Sequence, residues 1–506
     1  MSALDFIGRG LLAQRTRTAE RWERLAALRQ LRLLDPPRFM AVPPLISLKT
    51  GSTDIASGTT IPRGDRRITY SGGTPMTGTG GSPYDTVYYN RWITQPGGAN
   101  RGEHDWSQRF VTDAPQFEIV FGDWNGASSV TVMVDGEIVS RRAQIALPNA
   151  GNYQYVKVDF GVDIQGIHVN ATVASGGAGY ALGDELTVIG GTANGRPMVL
   201  TVSGVDGSGA VTRFYVRESG AYTVVAGSGA GVTGGAGSGA TFNVTAGTPD
   251  RSTHTTRRMR RIEVLGRGTK INGLRVPNHS VVRPWPVAGP RFLFMTDSYG
   301  DTFTDAPCGG WPYRLAQRFG IEDVWVNGQG GTGFLADNSG ALSRYRNRLG
   351  DFAARMPANP LTPMVLVTQA SINDSAPTDA ALQAEVQAYW DQFFATPAYA
   401  NTFAIQTGIM RSQGATPADS KNAAVKAGFL ASQAVFDPLG LRTAFIDLRG
   451  TGHDLLTIGG KAGATTGAGN TDFWDSGDGA HLTQAGQDFV GDMLAAEVLR
   501  TIQTWT

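Results

Sequence analysis

The stretch "RPWPVAGP", residues 283–290, divides the chain into two kinds of pattern that no single sheet or bundle accommodates together. Before it, apolar and polar residues alternate with period two. "QFEIVFG" places Phe117, Ile119 and Phe121 on one face, and "SVTVMVDGEIV" places Val130, Val132 and Val134 there before an Asp135-Gly136 turn; "YQYVKVDFG" and "RRIEVLG" repeat the alternation. Short strands separated by turn signals predict an all-β sandwich of jelly-roll type. After the divide, buried apolar strands such as "RFLFMT", "VWVNG" and "PMVLVTQ" alternate with amphipathic helices. In "TDAALQAEVQAYWDQFF", Leu382, Val386, Tyr389 and Phe393 share one face behind a cap at Thr378 or Asp379. A closing helix aligns Val490, Leu494, Val498 and Ile502. Alternating β and α over such a length predicts a three-layer α/β domain with a largely parallel sheet.

The sandwich half is interrupted. Residues 171–247 hold 19 glycines and no lysine, yet Val, Thr and Tyr runs lie between the glycines, and "SGGAGY" is echoed by "SGAY". We read this as a small folded β insert built from related hairpins rather than a linker. Upstream, Trp22, Leu25, Leu28 and Leu31 recur every three residues among Arg and Glu until "DPP" at 35–37. The expected division is a helical docking segment at 1–40, a loop-rich β region at 41–110, a β-sandwich at 111–285 carrying the 171–247 insert, and the α/β domain at 286–506. In the loop-rich region Tyr84, Tyr88, Tyr89 and Trp92 form an aromatic cluster able to stack on sugar rings. "RRMRR" at 257–261 reads as solvated arginines on a strand's outer face.

Composition narrows the function classes. Lys plus Arg is 44 against 43 for Asp plus Glu, a net charge of +1, so neither nucleic acid nor an anionic membrane is an expected partner. Cys308 is the only cysteine in the 506 residues, which excludes an intrachain disulfide or a thiolate metal centre. The six histidines show no ligand-type spacing, so no metal and no organic cofactor is expected. There is no long apolar run and no standard signal peptide pattern.

The residues able to do chemistry lie after the divide. Ser298 in "FMTDSYGD" follows a buried strand, at the carboxyl end where parallel sheets bind ligands. It lacks a G-x-S-x-G elbow. A serine hydroxyl needs a base, and His481 in "DSGDGAHLTQAG" stands before the last helix, three residues after Asp478. Ser298, Asp478 and His481 make a nucleophile, orienter and base in chain order. The glycine loop "NGQGGTGF", residues 327–334, and the amide of Asn373 in "SINDS" each follow a strand and offer donors for an oxyanion. His453 in "LRGTGHD" reads as an ordinary loop histidine.

These blocks, in this order, resemble the SGNH hydrolases, also named after the GDSL motif. "TDSY" is similar to the first block, "NGQGGTG" to the second, "SIND" to the third and "DGAH" to the last. The resemblance implies Ser298 as nucleophile, with Gly331 (Gly330 the near alternative), Asn373 and the Ser298 amide as oxyanion donors. It departs at Thr296 and Ser371, where the family usually has glycine; either change could narrow the pocket or alter loop packing. A sandwich ahead of such a domain resembles two-domain carbohydrate esterases, and the glycine-rich insert resembles modules of phage tail proteins. Together they imply a tail- or virion-associated deacetylase of a bacterial surface polysaccharide, homo-oligomeric, attached to tail proteins through its N-terminal helix and acting at the host surface. The alternatives are a glycan- or receptor-binding virion protein without turnover, and a bacterial lipase or esterase with accessory β-domains.

Overall fold

A computed structural model describes residues 22–40, 43–56, 58–62, 64–72, 105–121, 129–139, 154–160, 169–193, 197–218, 222–246, 259–267, 271–278, 280–287, 289–300, 307–337, 344–355, 363–410, 419–449 and 481–505. In the first half, strands with one apolar face pair into two antiparallel sheets. One sheet orders Leu45–Thr50, Gln154–Asp159, Gln116–Phe121, Ile271–Pro277 and Gly58–Pro62. The other orders Val282–Pro284, Asp105–Thr112, Arg260–Arg267, Ser129–Val134 and Glu137–Ile138, with Thr69–Ser71 also paired to Asp105–Thr112. Phe117, Ile119, Val156 and Leu274 of the first sheet share one core with Phe110, Val132, Val134 and Ile262 of the second. Phe110 meets Phe117 edge to face, at 5.4 Å between ring centroids.

The strand Asp105–Thr112 runs across residue 110, where a boundary was expected. Strands between residues 45 and 71 pair into the same two sheets, because their backbone donors and acceptors find partners only there. The two regions therefore form one unit. Residues 169–246 build a separate six-stranded sheet and a two-stranded one, between the sandwich strands Gln154–Asp159 and Arg260–Arg267. Their core holds Leu186, Leu200, Tyr222, Phe242 and Val244. The Tyr222 hydroxyl accepts from the Met198 amide at 2.9 Å. Arg260, expected to be solvated, is buried with its guanidinium over the Phe160 ring at 4.4 Å.

The second half is a five-stranded parallel sheet in the order Asp323–Gly328, Arg291–Thr296, Met364–Ala370, Thr402–Ile409, Thr443–Ile446. Because crossovers are right-handed, stepping one way from Arg291–Thr296 and then back past it places helices on opposite faces. Trp311–Arg318 and Gln484–Thr504 pack together, while Asp379–Ala395 packs with both Tyr345–Arg355 and Asp419–Phe436. Thr378 caps its helix by accepting from the Ala381 amide, and Leu382, Val386, Tyr389 and Phe393 are buried as the spacing predicts. Helices Tyr345–Arg355 and Asp419–Phe436 are additions to the sequence reading.

Among the described residues the N-terminal helix covers 22–29, and it ends before Leu31, where the three-residue spacing continues. Leu25 and Leu28 are buried in the α/β core of the same chain, while Trp22 is half exposed. The chain then leaves the helix as an extended strap, where the Leu34 amide donates to Arg318 O at 2.7 Å and Met40 to Ile138 O at 2.9 Å. Residues 1–21 and the aromatic cluster from Tyr84 to Trp92 lie outside the described residues.

Sandwich and α/β sheet are joined by buried polar contacts. Asp105 pairs with Arg267 and accepts from the Cys308 amide at 2.6 Å, and its carbonyl accepts from the Tyr313 hydroxyl at 3.0 Å. Ser71 Oγ accepts from the Val324 amide at 2.9 Å. At this junction a Cβ added to Gly266 would come within 1.9 Å of Trp106 Cζ2. Gly266→Ala is expected to lower the unfolding free energy by about 1–3 kcal/mol through overpacking. Urea denaturation checks it, and wild-type stability would refute the close packing described.

Candidate active site

Strand order reverses between Arg291–Thr296 and Met364–Ala370, and the loops leaving these two strands carry Ser298 and Asn373. An open parallel sheet presents a crevice at the carboxyl ends of such a pair. Ser298 is buried in the turn after the first of them. The loop from Asp323–Gly328 flanks it: the Gln329 amide donates to Thr296 O at 3.3 Å. A Cβ added to Gly330 would lie 3.6 Å from Ser298 Cβ, so this glycine stands directly beside Ser298. Gly331 follows with φ +71°, a left-handed conformation that favours glycine, and turns the chain into Thr332.

The third loop is fastened to the first two through Ser371. Its buried hydroxyl lies 2.7 Å from both Asp297 Oδ2 and Thr332 O, and accepts from the Asn373 amide at 3.0 Å. The Asn373 side-chain amide donates to Thr332 O and Ser371 Oγ, each at 3.1 Å. The departure from glycine at 371 therefore acts on loop packing: the added hydroxyl points inward. Thr296 is likewise fully buried, with Oγ1 2.4 Å from where a Cβ on Gly300 would sit. Thr296 fills the space that Gly300 leaves.

His481 is half-buried just ahead of the last helix, with its ring packed on Tyr299 at 6.4 Å between centroids. Thr483 caps that helix by accepting from the Gly486 amide. One turn on, Gln487 accepts from the Trp311 amide at 2.8 Å and donates to Tyr299 O at 3.1 Å. The His481 end of the helix is thereby tied to the residue after Ser298. Asp478 and His453 lie outside the described residues.

Three buried residues to which the motifs assigned no role hold this arrangement. Asp297 accepts from the Tyr299 amide and Gln369 Nε2, each at 2.9 Å, from the Ile372 amide at 3.3 Å, and from Ser371. Asp374 accepts from the amides of Phe334, Leu335 and Ala336 at 2.8–2.9 Å, closing the glycine loop. Arg348 donates to Thr296 O and Asn327 O, each at 2.9 Å, from the helix Tyr345–Arg355. Asp297 and Asp374 stood inside quoted motifs, so their chain positions were visible; Arg348 had no local signal. Burial pushes both carboxyls above their ordinary value of 3.8, and the hydrogen bonds they accept offset this only in part.

A separate cleft of about 800 Å³ lies at the domain junction, lined by Phe39, Met133, Leu265, Cys308 and Gln484 among others, and its described lining includes none of Ser298, Gly331, Asn373 and His481.

No protein-family model matches the chain, and no curated protein is similar to it. Solved structures that align with it include a family two carbohydrate esterase from Clostridium thermocellum in complex with cellohexaose, at 12% identity and a TM-score of 0.42 over 80% of this chain and 94% of that one. An acetyl xylan esterase from the rumen bacterium Butyrivibrio proteoclasticus aligns at 10% identity and 0.43, over 91% and 100%. The salicylyl-acyltransferase SsfX3 from a tetracycline biosynthetic pathway aligns at 11% identity and 0.45, over 87% and 98%. The assignment below rests on the residues and their contacts.

Thr296 Oγ1 is buried without a hydrogen-bond partner among the described residues. Thr296→Val keeps the shape and removes the unpaired hydroxyl, and is expected to raise the unfolding free energy by about 1 kcal/mol, measured by urea denaturation. A carboxyl raised on folding binds its proton more tightly folded than unfolded. Its contribution is complete below 3.8 and is lost as pH rises through the folded value. Asp297→Asn should therefore flatten the fall in stability as pH rises from 3.8; parallel pH profiles for variant and wild type would contradict this.

Proposed function

We propose that this chain is a serine esterase working through an acyl-enzyme. The observation that supports the reading is that Gly330 lies beside Ser298, while the Asn373 loop is bonded to the adjoining Thr332 and the last helix, through Gln487, to the adjoining Tyr299. In the proposed reaction Ser298 Oγ attacks an ester carbonyl carbon while His481 takes the hydroxyl proton, with Asp478 orienting the imidazole. The oxyanion formed receives hydrogen bonds from the amides of Ser298 and Gly331 and from the side chain of Asn373. The tetrahedral species collapses as His481 returns the proton to the departing alcohol. Water then repeats the sequence on the acyl-Ser298 and releases the acid. Neither metal nor organic cofactor enters these steps.

For substrate we propose the O-acetyl groups of a bacterial surface polysaccharide, and for setting a phage tail or other virion, as a homo-oligomer joined to tail proteins through the N-terminal region. The block order and the glycine-rich segment support this narrower reading through the resemblances stated above. One observation favours a second reading, glycan recognition without turnover. Both side-chain hydrogens of Asn373 are engaged within the loop, by Thr332 O and Ser371 Oγ, so donation to an oxyanion requires one of them to be redirected.

Hydrolysis of nitrophenyl acetate and acetate release from acetylated host capsules separate the two readings. Ser298→Ala is expected to lower kcat by on the order of 10⁴-fold or more. Equal inertness of wild type and variant, with glycan still bound, would establish the second reading. Faster turnover of long acyl esters than of acetylated glycans would point to a lipase.

A further inference from the structure

We propose that Arg348 is a positioning residue for acyl transfer, locking the nucleophile strand to the loop that carries the oxyanion donors; this rests on the esterase reading above. Arg348 is fully buried, an expensive place for a cation unless its donors are matched. Nη1 donates to Asn327 O at 2.9 Å and Asn327 Oδ1 at 3.2 Å. Nη2 donates to Thr296 O at 2.9 Å and Thr332 Oγ1 at 3.0 Å. The guanidinium also stacks over the Tyr345 ring at 4.7 Å.

These acceptors are the parts whose spacing matters for the reaction. Thr296 ends the strand two residues before Ser298. Asn327 lies in the adjacent strand that leads into Gly330 and Gly331. Thr332 closes that loop by donating to Gln329 O at 2.7 Å, and its carbonyl receives the Asn373 side-chain amide and lies 2.7 Å from the Ser371 hydroxyl. One planar fork thus spans the nucleophile strand and the glycine loop, and reaches Asn373 through a single intervening residue. A lysine offers one point charge and cannot reproduce that geometry. Arg348 touches no reacting atom, so its effect is on the distance between Ser298 Oγ and the donors, where displacement by about 1 Å costs on the order of 10²-fold.

Four proteins test this: wild type, Arg348→Ala, Arg348→Lys and Thr332→Val, which severs the link to the loop while leaving the guanidinium in place. Each is assayed for nitrophenyl acetate hydrolysis and for the rate at which a fluorophosphonate labels Ser298. The expected result for Arg348→Ala is kcat and labelling lower by about 10²-fold with KM little changed, and partial return on adding guanidinium at tens of millimolar. Arg348→Lys should recover less than added guanidinium does. Thr332→Val should lose about 10-fold in kcat while melting cooperatively, and it decides the matter if Arg348→Ala does not fold. A folded Thr332→Val with wild-type kcat and labelling overturns the positioning role alone. A wild type inert to both ester and probe overturns the esterase reading, and the positioning role with it.

Discussion

A buried carboxylate at the end of a central strand imposes the main constraint on the second half of this protein. Asp297 has no solvent to satisfy it, so four donors from two chain segments must converge on it: the Tyr299 amide, and Gln369 Nε2, the Ile372 amide and the Ser371 hydroxyl. Meeting that requirement draws the end of Met364–Ala370 and its loop against the turn that carries Ser298. Asp374 does the same for the glycine loop by collecting three consecutive amides. The site is thus held by hydrogen bonds to groups that are costly to leave unpaired, as well as by apolar packing.

The sandwich matters to the site through its edge. Asp105 binds Arg267 within the sandwich and the Cys308 amide beyond it, and Cys308 lies in the segment that leads from the Ser298 turn into the helix Trp311–Arg318. That helix packs against Gln484–Thr504, whose Gln487 returns to Tyr299 O. Hydrogen bonds, with the short run of chain from Cys308 to Trp311, thus connect the sandwich to the start of the last helix and to the Ser298 turn. The strap at residues 31–40 adds a further tie, joining Arg318 O and Ile138 O across the same junction.

Much of the fold was legible because periodicity reports which face of an element is buried. Period-two alternation marked Phe117, Ile119, Val132 and Ile262, and helical spacing marked Leu382, Val386, Val490 and Leu494; all are buried. The helices Tyr345–Arg355 and Asp419–Phe436 were harder to read. The first buries an arginine, and the second buries Lys421, Asn422 and Ser432, so their inner faces do not look apolar. The C-terminal end of the N-terminal helix was misjudged for another reason. Leu31 continues the spacing, but Leu34 and Met40 further on bond to Arg318 and Ile138, and a segment drawn into those contacts leaves the helix.

By itself the sequence determined which residues carry reactive groups and in what order: Ser298, the glycine loop, Asn373, then Asp478 and His481. It also determined that strand ends hold Ser298, the glycine loop and Asn373, since apolar runs stop there. Only the tertiary structure decided what each departure from the motif does. Ser371 and Thr296 both turn inward, one toward Asp297 and the other into the space left by Gly300. Only the fold decided that Arg348 faces the strand ends, because two of the guanidinium's four acceptors here are the carbonyls of residues 296 and 327, and backbone acceptors leave no trace in side-chain order. Motifs record side chains, whereas the spacing between them is set by backbone groups that every sequence shares.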